Sequence, residues 1–213
     1  MGNTKEEILL VSLHLFAQDG YEAVSVSQIA GELGITKGAL YRHYQSKRDI
    51  FDHILACMEQ RDGEQAESHD MPQERKEDAP ETYQELSFVD FMAYSQSMFA
   101  YWTEDDFASS FRKMLTLEQF RNAEMQELYQ QYLVSGPVAY VKDLFESMKF
   151  DSALEKAVQF YATMFFFYSM YDGAEDKEQV KLEFETSLRK IAEELYENEQ
   201  AVEEKVTERK YSP

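Results

Sequence analysis

Apolar residues recur at helical spacing along nearly the whole chain, and caps and turn residues fall between the repeats. Ile8, Leu9, Leu13 and Phe16, flanked by Val11 and Leu15, predict a first helix over Glu6 to Asp19. Gly20 stands where a chain leaving a helix needs positive φ, with Tyr21 placed to fold back on Phe16 as in a Schellman ending. Ser25-Val26-Ser27-Gln28 is a capping box, in which a hydroxyl and an amide three residues on satisfy each other's backbone donors. Ile29, Ala30 and Leu33 continue that helix, and Gly34 ends it. Thr36 caps a second short helix running to Tyr44, with Leu40 and Tyr44 inward, Ile35 beneath the turn, and Lys37, Tyr41 and His43 outward. Ser46 opens a longer helix through Phe51, Ile54, Leu55 and Met58 towards Gln65, joining head to body.

Beyond it, residues 69 to 85 hold Pro72, Pro80 and six acidic residues, and read as an exposed loop. Helices are then predicted over Leu86 to Trp102, Asp105 to Phe120, Glu124 to Leu133 and Pro137 to Met148. The helix from Ala153 to Tyr171 is apolar on more than one side, through Tyr161, Met164, Phe165 and Tyr168, so more than one partner must cover it. Gly173 ends that helix. The closing helix repeats Val180, Phe184, Leu188, Ile191 and Leu195 at steps of three and four, which is a helix-packing seam. Residues 199–213 are a charged tail.

With only eight Gly and four Pro in 213 residues, and no period-two alternation bounded by turns, the fold class is all-α. The expected organisation is a helix-turn-helix domain over 1–48, a larger helical body over 49–198 and the tail. The single Cys57 excludes an internal disulfide and reads as a small buried residue, with a thiol sensor as the sharper alternative. The polar start and the shortness of the aromatic run from Phe160 to Tyr171 point to a cytoplasmic chain without a membrane span.

The net charge of −20 is opposite to that of a broadly basic nucleic-acid binder. Residues 1 to 55 account for only −2 of it, and between Ser25 and Arg48 four cations, Lys37, Arg42, Lys47 and Arg48, face Glu32 alone. Lys47 and Arg48 sit in the first turn of the joining helix, where the macrodipole favours anions, so a phosphate is expected beside them. Gly38 costs about 1 kcal/mol in a helix relative to Ala, and close approach to another backbone would explain it.

Phe16 to Val26, Gln28-Ile29-Ala30, Leu33 to Gly38, Leu40 to Tyr44 and Ser46-Lys47 resemble the N-terminal domain of TetR-type transcriptional regulators. The resemblance covers about residues 4 to 55. It implies an N-terminal three-helix DNA-binding domain followed by a larger ligand-binding and dimerisation domain. The DNA-facing set it implies is Ser25, Gln28, Thr36, Lys37, Gly38, Tyr41, His43, Tyr44 and Lys47, in which Leu40 and Tyr44 also belong to the small core. It implies a homodimer on a double-stranded, roughly palindromic DNA operator, and a small-molecule effector in the body, most simply for a repressor. The alternative is a regulator or activator controlled by a partner protein. For the effector, Met98, Phe99, Trp102, Phe107, Phe111, Met114 and Tyr129 are the candidates, since Met and aromatic side chains line adaptable apolar pockets and equally build cores. For the dimer interface they are Phe165, Tyr168, Phe184, Leu188, Ile191 and Leu195.

Catalytic signatures are absent from the sequence: no nucleophile elbow, no phosphate-binding Gly loop, no H-E-x-x-H, and four His scattered at 14, 43, 53 and 69. No cofactor or metal is implied, and the chain is read as a non-enzyme.

Overall fold

A computed structural model describes the backbone of residues 4–83 and 86–211 and the side chains of 5–83 and 86–195. Among the described residues, ten α-helices follow one another: α1 Thr4–Asp19, α2 Val26–Glu32, α3 Lys37–Leu40, α4 Lys47–Glu67, α5 Phe88–Glu104, α6 Asp106–Glu118, α7 Ala123–Leu133, α8 Ser135–Ser147, α9 Ala153–Gly173 and α10 Lys177–Tyr211. A 3-10 turn at Pro80–Tyr83 precedes α5, and no strand occurs among the described residues. The side chains of the expected tail lie outside the described residues.

The chain divides into two compact units, one of Met1–Ser68 with Ala100–Leu133, the other of His69–Phe99 with Val134–Pro213. The helix-turn-helix therefore shares its unit with α4, α6 and α7. Ile8, Leu13 and Phe16 of α1, Ile29 of α2, Leu40 of α3 and Ile50, Phe51 and Ile54 of α4 are fully buried there, as are Phe111 and Met114 of α6. Tyr21 bridges Phe16 and Phe51, with ring centroids 5.1 and 5.0 Å away. The predicted fold-back on Phe16 is thus present. The bond that closes α1 is the single one from Gly20 N–H to the Phe16 carbonyl, at 3.0 Å with Gly20 at φ +87°, an αL ending rather than a Schellman pair.

In the second unit, Phe91 meets Phe145 and Phe160 at 5.2 and 4.8 Å. Phe99 stacks on Phe184 at 3.9 Å, which fixes α10 against α5 and α9. Phe150 tucks beneath Phe145 at 5.0 Å, between Lys149 and Ser152 in left-handed conformations. Burial of the ring offsets what those two β-carbons cost.

Residues 69–83 form a loop whose charged residues are mostly exposed, and it is anchored at a few points. Met71, Ala79 and Tyr83 are buried, the Tyr83 hydroxyl donates to the Glu74 carbonyl at 2.9 Å, and Tyr140 donates to the Pro72 carbonyl at 2.9 Å. A few apolar anchors hold the stretch while its charges face water, and averaging over its composition hides them. Gln84 and Glu85 lie outside the described residues.

Candidate nucleic-acid interface

Local chemistry sets the geometry of α2 and α3. The Ser25 hydroxyl accepts from Gln28 N–H at 3.3 Å while the Gln28 side-chain oxygen accepts from Ser25 N–H at 2.8 Å, completing the capping box. At the other end, Ile35 N–H reaches the Ala30 carbonyl at 2.9 Å and Gly34 N–H the Gly31 carbonyl at 3.1 Å, with Gly34 at φ +65°. This is the full Schellman pair, and it turns the chain sharply into α3. Thr36 caps α3 by accepting from Ala39 N–H at 3.1 Å.

The second helix is shorter than expected. Regular helix stops at Leu40, and the carbonyls of Ala39 and Leu40 then accept tighter turn bonds from Arg42 and His43, so 41–43 form a turn. Leu40 and Tyr44 are buried inward as predicted. Thr36, Lys37, Gly38, Tyr41 and Arg42 form one exposed surface, with half-buried His43 at its border. Neither Lys37 nor Arg42 makes an ion pair among the described residues. A β-carbon at Gly38 would meet only the Thr36 hydroxyl, at 3.9 Å, so nothing within the chain requires glycine there.

Four predicted contact residues are engaged within the chain. Tyr44 is 2 % exposed and its hydroxyl donates to the Lys5 carbonyl at 3.2 Å, so it holds α1 against the turn instead of facing a ligand. Ser25 and Gln28 are exposed, and their capping bonds occupy the Ser25 hydroxyl and the Gln28 side-chain oxygen. Lys47, expected at a phosphate, points inward: its ammonium donates to the carbonyls of Tyr21 at 2.7 Å and Val24 at 3.0 Å, and stands 4.3 Å from the Tyr21 ring centroid. It ties α4 to the α1–α2 connection. Arg48 is engaged as well, with Asp52 at 2.7 Å and both oxygens of Glu124 at 2.6 and 2.8 Å. Those two bonds raise the Arg48 pKa, and the guanidinium lowers that of Glu124. Between Ser25 and Arg48, the positive charge without an ion pair among the described residues is therefore carried by Lys37 and Arg42.

The effector candidates divide between the two units. Met98 and Phe99 belong to the second unit, where Phe99 lies in the core, while Trp102, Phe107, Phe111, Met114 and Tyr129 belong to the first, all buried except Tyr129. Four polar side chains in the first unit's interior carry chemistry that the apolar pattern alone does not report. Arg112 is buried and donates to the Trp102 carbonyl at 3.0 Å. Glu118 is buried against Gly20. Asp62 is buried deeply enough to push its carboxyl up to about 7, an effect that hydrogen bonding from Tyr101 only partly reverses. Tyr101 in turn is raised by burial and by the nearby Asp62 charge. The signal is present as spacing: Asp62 follows Ile54 and Met58 at steps of four, and Glu118 follows Phe107, Phe111 and Met114 on one stripe.

The interface candidates need correction too. Tyr168, Phe184, Leu188 and Leu195 are buried within a single chain, where α9 and α10 cover each other. Phe165 stays exposed on α9, beside Leu154, Val158 and Phe166, with Leu182 exposed on α10, and Ile191 is half-buried.

Two short capped helices joined by a Schellman turn, with a small core behind and an open polar surface in front, define a helix-turn-helix module. A family profile described as bacterial regulatory proteins, tetR family, matches residues 8–54. Among curated proteins, the chain is 41% identical over 61 residues to the HTH-type transcriptional regulator AcrR of Shigella flexneri, covering 29% of this chain and 28% of that one. It is 47% identical over 57 residues to the uncharacterized HTH-type transcriptional regulator YerO of Bacillus subtilis, covering 27% and 19%. The chain thus spans less than a third of the length of the curated relatives it matches. A TetR-family regulator structure from Marinobacter aquaeolei shares the fold with a TM-score of 0.61 at 18% identity, covering 89% of both chains. Residues 8–54 are thus a TetR-family helix-turn-helix domain, and the rest of the chain shares the fold of a TetR-family structure. No helix among the described residues is long and apolar enough to cross a membrane.

Proposed function

We propose that this protein is a homodimeric, DNA-binding transcriptional regulator, a repressor released from its operator by a small apolar or aromatic effector. The observation that carries the reading is the exposed surface of Thr36, Lys37, Gly38, Tyr41 and Arg42, preorganised by caps whose bonds lie within the head. Residues 1–48 act as the DNA-binding domain, 49–198 as the effector-binding and dimerisation domain, and 199–213 as a tail. The α3 helix enters the major groove, Gly38 lets a phosphate backbone approach, and Lys37, Tyr41 and Arg42 meet phosphates and base edges. The acidic remainder of the chain limits non-specific adhesion to DNA.

A two-fold dimer presents two such surfaces to half-sites about one or more turns of DNA apart. The apolar residues left exposed on α9, Leu154, Val158, Phe165 and Phe166, support that dimer through a face different from the α9–α10 seam. The effector acts by preferring the conformation whose heads are misplaced; about 5.5 kcal/mol of differential binding moves the population from 1:99 to 99:1.

The test is binding to DNA from around the protein's own gene at about 0.15 M salt, alongside Lys37→Ala, Tyr41→Ala and Gly38→Ala. Saturable binding of a dimer to a short, near-palindromic site, weakened by all three substitutions, supports the reading. A chain that binds no DNA in a genome-wide selection, or whose three variants bind as the parent does, overturns it.

A further inference from the structure

Four helices of the first unit bring side chains together around Asp62. The residue lies on α4 one turn beyond fully buried Met58, with Tyr101 from α5 at its carboxyl group and Tyr132 from α7 near enough to feel its charge. Phe111 of α6 backs the Tyr132 ring edge-on at 5.0 Å. Within this aromatic surround, the Asp62 Oδ1 atom is buried and has no hydrogen-bond partner.

Its chain neighbour Arg61 is engaged elsewhere. Arg61 pairs with Asp105 at 3.5 Å and lies over the Phe107 ring at 4.8 Å. A buried carboxylate oxygen without a donor costs free energy that a bound cation or donor recovers. One polar atom set among aromatic rings is also how small-molecule sites orient an apolar ligand. The rings favour positive charge over a neutral donor, because their faces attract cations. Tyr132 keeps part of its surface at solvent, which gives a ligand an approach.

We propose that Asp62 anchors the effector site and takes an organic monocation, an amine or onium group on an apolar or aromatic body, against the rings of Tyr101 and Tyr132. The inference rests on the reading of this chain as an effector-controlled regulator, and it names the class of effector. Because Asp62 lies on the same helix as Lys47, fifteen residues along and so about 22 Å away at 1.5 Å per residue, a ligand held there pulls directly on the element that leads out of the head.

The experiment titrates full-length protein, without DNA, with methyltriphenylphosphonium and with its neutral counterpart triphenylphosphine oxide, at pH 8, by calorimetry and by quenching of Trp102. Asp62→Asn and Glu67→Gln, an exposed acid on the same helix, are run in parallel after thermal melts confirm that both fold. The expected result is saturable binding of the phosphonium that Asp62→Asn weakens at least tenfold, about 1.4 kcal/mol, and Glu67→Gln leaves unchanged. The oxide should bind more weakly and respond less than twofold to Asp62→Asn. No phosphonium binding up to about 1 mM, equal binding of both probes, or equal binding by parent and Asp62→Asn overturns the proposal. None of these outcomes depends on operator binding, so loss of the effector site and loss of the regulator reading are told apart.

Discussion

Gly20 and Glu118 are packed so closely that a β-carbon on Gly20 would lie 2.5 Å from the Glu118 Oε1 atom. Glu118 is 1 % exposed, and its other carboxylate oxygen has no hydrogen-bond partner. The pair joins the end of α1 to the end of α6, so any shift of α6 is felt where the chain turns towards the helix-turn-helix. Gly20→Ala meets two penalties, a left-handed residue at φ +87° and the clash. Together they should cost about 2–3 kcal/mol. Urea unfolding measures it. Shortening the acid in the double variant Gly20→Ala/Glu118→Ala should return the clash term, giving a coupling of roughly 1 kcal/mol. Strict additivity of the two substitutions would show that the contact carries no energy.

Lys47 and Lys37 separate stability from recognition. The Lys47 ammonium is committed to backbone carbonyls, so Lys47→Met should lower stability by about 1.5–3 kcal/mol, the range for hydrogen bonds to a charged group. Any loss of DNA binding should then follow loss of folded protein. Lys37 is exposed and makes no ion pair among the described residues, so Lys37→Ala should leave the unfolding midpoint unchanged. Its effect should be to reduce the slope of log affinity against log salt by about one phosphate contact. A stable Lys47→Met with a reduced salt slope would return Lys47 to the phosphate backbone.

Burial makes Asp62 a source of pH-dependent stability, and the sign follows from its raised pKa. Folded Asp62 titrates at about 7 against 3.8 for the free side chain. Its contribution is therefore complete below pH 3.8 and is lost as pH rises to 7. The span corresponds to on the order of 4 kcal/mol. Asp62→Asn has no such titration. It should flatten the stability profile between about pH 4 and 7 and be more stable than the parent at pH 8. Parallel profiles for the two proteins, measured by chemical unfolding across that range, would show that Asp62 is solvated.

These residues also show where sequence stops being informative. Ser25, Thr36 and Ser46 are legible as caps because capping is decided within three residues, and all three bonds are present. The turn at Gly34 is legible for the same reason. Lys47 is not, since its fate depends on carbonyls more than twenty residues away in the chain. Periodicity reports the stripe of Phe184, Leu188 and Leu195 but cannot name what covers it, and the cover is α9 of the same chain. Tyr83 and Met71 are lost in the charge of their neighbours. Asp62 and Glu118 stand as acids on apolar stripes, a pattern by which the sequence alone marks them for burial.

The two sides of α9 give the last prediction. Leu188 is 0 % exposed on α10, the helix that packs against α9, so Leu188→Ala should destabilise each chain by about 2–5 kcal/mol, whatever its oligomeric state. Phe166 is 59 % exposed on α9 and Val158 48 %, and both cost little to leave in water singly. Beside Leu154 and Phe165 they form an apolar strip, and a self-complementary strip is what a two-fold interface requires. Val158→Glu/Phe166→Glu should therefore leave the helical content unchanged and convert a dimer to a monomer in sedimentation, because four like charges would face one another across the axis. Operator affinity should fall with it, since each half-site would be held by one head. If the double variant still sediments as a dimer, the subunits meet on another face. If the parent is itself a monomer at micromolar concentration, the strip is not an interface between copies of this chain.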